Sequence, residues 1–595
     1  MIFTEAPEAL SGRQKAIFWA AAVLCAASRF AAVSRSLWDW DEALFSLGMR
    51  SYDVASHHPH PPGFPVYIGA AKLVALFGVS DFHALQALNV AASVVLFPGM
   101  FLLARELRLS FTTSVVAAGL FAFFPNVWFF GGTAFSDVVS ITLVVWAAAL
   151  LFRGCRDSGA YLAGALLLAL SIGIRPQNLL VGLFPAAVST WVRARRSPRD
   201  VLFALLIGAT VVGASYAAAV RLTGFDRYMS AMHAHSDYIT TVDSFRSPER
   251  PPLWRLIDRF FFKQYQNPAL SIIATLFVLV SIVNAVRTHN RAMLANALTF
   301  GPFAISAWLM LDRFSISRFS IGYQPMFALF AADGIARVMR NRKFEALAGA
   351  LLVAAFAVWT WPALTVVRTT VSPPVLGVEA ARAHIDSKRD ELFVAFGMTP
   401  FIDDLLPNVP YTVLLDDRAL PLKTPDRPAY LLAEIEQPPW GGWIFERPHG
   451  HLWDIARRHY FGVGLEPIRH LARFGDGWWP VEGHGEHPWR WMGDHGRLLL
   501  PPVGNTAKLE LEMRIPDEIM RPPPTIRVIL NGALVARFAP SEAHFTRQYE
   551  VGALPGENSL EITTTRTINQ AKRGIGPDAR ELGLMLEGLS WGTNE

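Results

Sequence analysis

Between Ser34 and Tyr67 the chain reads SRSLWDWDEALFSLGMRSYDVASHHPHPPGFPVY, a stretch dense in side chains that accept or carry protons. Asp39, Asp41 and Glu42 place three carboxylates within four residues. His57, His58 and His60 follow, then Pro61-Pro62-Gly63. A carboxylate serves as a general base when its surroundings raise its pKa and an acceptor hydroxyl comes within reach. Acidic residues in a first helical turn also favour the helix dipole, and the residues alone leave both readings open for all three. Histidines bind phosphate, shuttle protons or ligate metals. In this proline-rich setting they equally suit a rigid, polyproline-like turn with solvated imidazoles.

A second polar constellation is Met232-His233-Ala234-His235-Ser236-Asp237-Tyr238. In an extended chain His233, His235 and Asp237 would share one face and could hold a metal. The favoured expectation is an amphipathic helix in a loop over the site, with no metal. Near the C-terminus, Trp478, Trp479, Trp489 and Trp491 crowd a short Gly- and His-rich stretch. Such rings stack on sugars, but they also build the edge or core of a β-sandwich, and the second role is preferred.

The elements that must position these residues follow from composition. Hydrophobic residues make up 52% of 595 and charged residues only 17%, which indicates a polytopic membrane protein. Apolar runs of about spanning length occur at 15–34, 83–103, 112–131, 135–152, 159–174, 177–192, 200–220, 268–286, 292–311, 320–339 and 345–364, about eleven transmembrane helices. Beyond about 366 the long apolar runs stop. The expected domains are a membrane domain over 1–365 with a first external loop at 35–82, an α/β region over 366–470, and a β-sandwich over 471–595. The hairpin signal Asn531-Gly532 and the alternation over Lys508–Ile515 carry the last assignment.

The net charge of +5 comes largely from Arg and Lys in short loops: Arg105 and Arg108; Arg153 and Arg156; Arg193, Arg195, Arg196 and Arg199; Arg287 and Arg291; Arg337, Arg340, Arg342 and Lys343. That placement is the positive-inside pattern, so nucleic acid is excluded as the partner and the lipid bilayer takes its place. All five clusters share a side only if Arg175-Pro176-Gln177-Asn178 breaks the run 159–192 into two short helices, and if the apolar stretch 63–79 lies in the interface without crossing. The N-terminus is then an uncleaved, cytoplasmic signal-anchor, and the C-terminal region is extracytoplasmic. The long loop 221–267 falls on the same side as the carboxylate loop. The two cysteines, Cys25 and Cys155, both precede the C-terminal region, which must therefore pack without a disulfide.

Trp40-Asp41-Glu42 after the first span, followed by His60-Pro61-Pro62-Gly63, resembles the GT-C glycosyltransferases, in particular the branch of protein O-mannosyltransferases, lipid A aminoarabinose transferases and their bacterial relatives. Arg175-Pro176 at a helix break and Ser317-Arg318-Phe319, with Pro325 beyond, fit the same resemblance over about residues 15–365. Phe319 stands where the family has tyrosine, and Gly63 stands where the mannosyltransferases have leucine. The resemblance implies a GT-C fold in a bacterial inner membrane. It implies transfer of a sugar from a polyprenyl-phosphate donor to a hydroxyl of an envelope glycan, lipid or protein. Asp41 would be the base and Glu42 its orienting neighbour. His60 would help position acceptor or donor, and the residues themselves add Asp39, His58, His233 and His235 as candidate substrate contacts. Arg175 and Arg318 would hold the lipid phosphate, for which the guanidinium fork is suited. No cofactor is implied, and a divalent metal is not favoured.

Two other classes fit the composition. A lipid-linked saccharide transporter would bury ionisable residues near mid-membrane, often with repeat symmetry. A non-catalytic scaffold with a glycan-binding β domain would not need the carboxylates.

Overall fold

All eleven apolar runs form helices, and polar residues at their ends set the boundaries. The structure, a computed structural model, describes residues 3–592 except 248–249, 251, 310–315, 415–428, 435–442, 448–461, 469–472, 483–488 and 501–504. Within the α/β region, the sequence suggests a helix at 451–459, which lies outside the described residues. The chain is a multi-pass helical membrane protein with a C-terminal β domain. It divides into two units, one ending at Val375 and one beginning at Leu376, with Arg447 grouped in the first.

In the first unit, α1 (Gly12–Arg29) starts at a capping box formed by Ser11 and Gln14. Helices α2 (Trp40–Arg50) and α3 (Pro65–Ala75) follow in the loop before α4 (Asp81–Glu106), whose cap is Ser80. The run 112–131 is two helices, not one: α5 (Phe111–Phe123) and α6 (Pro125–Phe130). Pro125 cannot donate to the ladder, and Phe124 before it is extended, with ψ at 136°. Helices α7 (Asp137–Gly154), α8 (Ser158–Ile174), α9 (Asn178–Arg196) and α10 (Pro198–Thr223) follow, and Arg175-Pro176 separates α8 from α9.

Next come α11 (Phe225–Tyr238), α12 (Leu253–Phe261), α13 (Pro268–Thr288), α14 (Arg291–Leu309), the short α15 (Ile316–Phe319), α16 (Gln324–Met339) and α17 (Arg342–Thr369). Seven helices in the described chain are long and apolar enough to cross a membrane: α1, α4, α7, α10, α13, α14 and α17. The runs 112–131, 159–174 and 320–339 form shorter helices, and 177–192 forms α9, which is 19 residues long but ends in Arg193, Arg195 and Arg196.

Four of the basic loops meet at one end of this unit. Arg156 pairs with Glu106 at 2.7 Å, Arg193 donates to the carbonyl of Gly154 at 2.6 Å, Arg196 donates to that of Cys155 at 3.1 Å, and Arg342 donates to Ser110 at 2.7 Å. Asp137 opens α7 and Arg175 closes α8, so both lie at the opposite end.

In the second unit, Glu391–Ala395 pairs in parallel with Thr412–Leu414 and Ala429–Glu434, and Gly462–Ile468 and Trp443–Glu446 extend that sheet antiparallel. Two antiparallel five-stranded sheets follow, packed on one core that includes Leu509, Leu511, Val528, Leu560 and Trp591. Asn531 and Gly532, with φ of 52° and 79°, turn the hairpin between Ile526–Leu530 and Ala533–Phe538. Trp478, Trp479 and Trp491 are half-buried against this core, and the first two donate their indole N–H groups to the carbonyls of Arg497 and Glu581.

Candidate active site

The first turn of α2 assigns its three carboxylates to different tasks. Asp39 is the N-cap and accepts from the backbone N–H of Asp41 at 3.1 Å. Glu42 completes the capping box with both oxygens engaged. Oε2 accepts from the amides of Trp38 (2.7 Å) and Asp39 (3.1 Å), and Oε1 accepts from that of Ala134 (2.8 Å). Glu42 is fully buried, and burial pushes its carboxyl up to about 7 although these three amides favour the charged form. It ties the start of α2 to the segment before α7.

Asp41 is one residue earlier, about 100° around the helix, and points away from this network. Its Oδ2 lies 2.6 Å from Nη2 of Arg318, and its Oδ1 lies 3.8 Å from Nδ1 of His60. The Asp41 and Arg318 side chains retain only 10% and 8% of their surface. The guanidinium of Arg318 also faces Asp137, with Nε 3.7 Å from Oδ2, and lies 4.5 Å from the centre of the Phe135 ring. Asp137 accepts from Nη2 of Arg175 at 2.8 Å, while Nε of Arg175 donates to Ser136 at 3.1 Å. Two carboxylates and two guanidiniums are thus linked in one buried centre, assembled from α2, the start of α7, the end of α8 and the segment before α16.

His60 joins the centre edge-on, with its ring against Phe64 at 4.8 Å and near Phe45 at 5.6 Å. Burial lowers its pKa to about 4. Asp41 opposes the shift, and the charges of Arg318 and Arg175 add to it. The imidazole is therefore neutral near pH 7. Gly63 fixes the turn that carries it. Its φ is 99°, and a Cβ there would lie 2.5 Å from the Tyr52 hydroxyl and 2.7 Å from Val54. Tyr52 donates that hydroxyl to the Gly63 carbonyl at 2.8 Å. This turn explains the glycine after His-Pro-Pro.

The remaining sequence candidates are spread more widely. His58 is half-buried, and its backbone pairs with Asp53. His57 keeps much of its surface exposed, and partial desolvation lowers its pKa against the pull of Asp41. Residues 225–238 are helical, so His233 and His235 point about 160° apart and do not share the face that a metal site would need. His235 is half-buried and lowered in pKa by burial and by His57, with Asp41 opposing. His233 is exposed. Asp137 is the member of the centre that sequence reasoning missed. It is a lone carboxylate at the head of an apolar run, four residues after Gly131-Gly132-Thr133.

The fold and this centre define a multi-pass helical membrane protein with an acid–guanidinium cluster at one end of its helices. No protein-family model matches the chain, and no curated protein matches it. Among solved structures it is similar to ArnT from Cupriavidus metallidurans bound to undecaprenyl phosphate (10% identity over 77% of this chain and 98% of that one, TM-score 0.48). It is similar to the arabinofuranosyltransferase AftD from Mycobacteria (12% identity, 100% of this chain, TM-score 0.45), of which it spans 60%. It is also similar to the Archaeoglobus fulgidus oligosaccharyltransferase solved with Zn and sulfate (9% identity, 93% and 96% coverage, TM-score 0.44). All three likenesses stand at 12% identity or less, with TM-scores below 0.5.

Proposed function

We propose that the chain is a glycosyltransferase that moves a sugar from a polyprenyl-phosphate donor to an acceptor hydroxyl at the outer face of a bacterial inner membrane. The acceptor is an envelope glycan, a lipid or a protein. The observation that carries this reading is the pairing of a buried carboxylate, Asp41, with Arg318 at 2.6 Å, beside a second guanidinium, Arg175. Asp41 takes the proton of the acceptor hydroxyl as its oxygen attacks the anomeric carbon. The bond from that carbon to the phosphate oxygen breaks, and the electron pair leaves with the lipid phosphate. Negative charge grows on the phosphate during this step, which is where fixed guanidiniums help most. A phosphate that draws Arg318 away from Asp41 also leaves the carboxylate more basic.

The basic loops at the far end of the helices support a cytoplasmic position for that end, so the centre and the C-terminal domain lie outside. No metal takes part in the step, and transfer survives a chelator. The direct test is transfer from a polyprenyl-phosphate sugar by the purified protein in lipid. Activity in the native chain that is lost in Asp41→Asn is the expected result. Normal turnover in Asp41→Asn would move the reading toward a transporter or a scaffold.

A further inference from the structure

Two residues beyond Arg318 the chain enters a buried polar cluster that the reaction above does not use. Ser320 and Gln324 lie before and at the start of α16, Gln264-Tyr265-Gln266 precede α13, and Asn126 lies in α6. All six side chains are more than nine-tenths buried. Asn126 Nδ2 donates to Ser320 Oγ (2.7 Å) and to the backbone carbonyl of Gln264 (3.2 Å). Gln324 Nε2 donates to that same carbonyl at 3.0 Å, and Gln266 Nε2 donates to Asn126 Oδ1 at 3.1 Å.

These bonds consume amide N–H groups and leave acceptors over. The side-chain oxygens of Gln264, Gln266 and Gln324 have no hydrogen-bond partner, nor do the amide nitrogen of Gln264 and the hydroxyl of Tyr265. Buried polar atoms are nearly always paired, because leaving one unpaired forfeits its hydration without return. Five unpaired atoms on three consecutive residues and one neighbour of the same network are hard to account for by packing alone.

We propose that this cluster binds the hydroxyl groups of the donor's sugar, a role that rests on the donor assignment above. Its chemistry selects the ligand class. Three acceptor oxygens with one N–H₂ group and one hydroxyl call for a neutral partner carrying several O–H groups on adjoining atoms. None of the six residues brings a formal charge, and acceptor oxygens outnumber donors among the unpaired atoms, so the cluster suits a neutral polyol better than a phosphate. Its position fits as well. Ser320 is two residues from Arg318, within about 7 Å along the chain, so one short segment reaches both the phosphate centre and the amides. Internal water is the other source of O–H donors, and a sugar that displaces it must reproduce its bonds.

Gln264→Met is the informative variant, since the Gln264 side chain makes no hydrogen bond that the fold would lose. Gln266→Met is the second. The full-length proteins in nanodiscs are titrated with undecaprenyl phosphate, and with undecaprenyl phosphate carrying glucose, mannose, galactose or arabinose. The native protein is expected to bind at least one sugar-linked form at least tenfold tighter than the bare lipid. Gln264→Met should melt no lower than native, hold the bare lipid within twofold, and lose at least tenfold for that sugar-linked form. Equal native affinity for bare and sugar-linked lipid, or an unchanged ratio in both variants, leaves the cluster to water and overturns the proposal. A parallel loss for bare and sugar-linked lipid also overturns it, making the amides a support for Arg318. If the native protein binds no polyprenyl phosphate at all, the donor assignment itself is what fails.

Discussion

Arg318 Nη2 lies 2.6 Å from Asp41 Oδ2, so the residue proposed to hold the leaving phosphate is, without donor, the counter-ion of the proposed base. The two roles compete for one guanidinium. Asp41→Asn removes the competitor and leaves the cation. It should reduce transfer by about 10²–10⁴, the usual scale for loss of a general base. It should also bind bare undecaprenyl phosphate more tightly, by about tenfold. Titration of native and variant proteins with the lipid checks the sign. Weaker binding in the variant would show that Arg318 does not pass from Asp41 to the phosphate.

Asp137 and Arg175 form the second pair, at 2.8 Å, with side chains 6% and 10% exposed. Removing one partner leaves a buried charge uncompensated and typically costs about 3–5 kcal/mol. Asp137→Asn and Arg175→Met should each lower the melting temperature. The double variant should recover most of that loss because no unpaired charge remains. Transfer should stay low in the double variant, since Arg175 is gone. Full recovery of both stability and transfer would make the pair a structural tie with no part in the chemistry.

Gly63 stands at φ 99° with the Tyr52 hydroxyl where a Cβ would go. Gly63→Ala must strain the backbone or displace Tyr52, which donates to the Gly63 carbonyl. The cost is about 1–3 kcal/mol, read as a lower melting temperature together with reduced transfer, because His60 sits on the same turn. A variant that melts and turns over like the native protein would show that the turn adapts freely.

How much of this was legible in the sequence depends on how local each signal is. Asp41, His60, Arg175 and Arg318 stood out because each sits in a short polar interruption of an apolar chain, and the fold gathers those four into one centre. The different tasks of Asp39 and Glu42 were also written locally, as an acidic cap followed three residues later by Glu. Asp137 was not legible. One carboxylate at the head of the run 135–152 barely changes its hydropathy, and only the pairing with Arg175 reveals it. The same holds for Asn126, Gln264, Gln266 and Gln324, which come from three separate elements and acquire meaning only through their mutual hydrogen bonds. Pro125 marks the break in the run 112–131, which hydropathy alone presents as one span. His233 and His235 suggested a metal site only in an extended chain, and helical geometry separates them.

The buried acid and imidazole of the carboxylate loop give opposing pH dependences. Glu42 is raised from 4.5 to about 7, chiefly by burial. Between those values the folded chain keeps a proton that the unfolded chain has lost, so this group's contribution to stability falls as pH rises. His60 is lowered from 6.5 to about 4, again chiefly by burial. Between those values the unfolded chain holds a proton that the folded chain does not, so its contribution rises with pH. Each slope is about 1.4 kcal/mol per pH unit, and the two nearly cancel where the windows overlap, from about 4.5 to 6.5. The native melting temperature should then owe little net slope to this pair over that range. Glu42→Gln removes the falling term, so its melting temperature relative to native should climb from pH 4.5 to 6.5. His60→Asn removes the rising term, so its relative melting temperature should decline over the same range. Melting curves of the three proteins in one detergent, recorded at half-unit pH steps, decide the matter. Parallel profiles for all three would mean that neither group changes its protonation on folding, and that the loop is far better hydrated than its geometry implies.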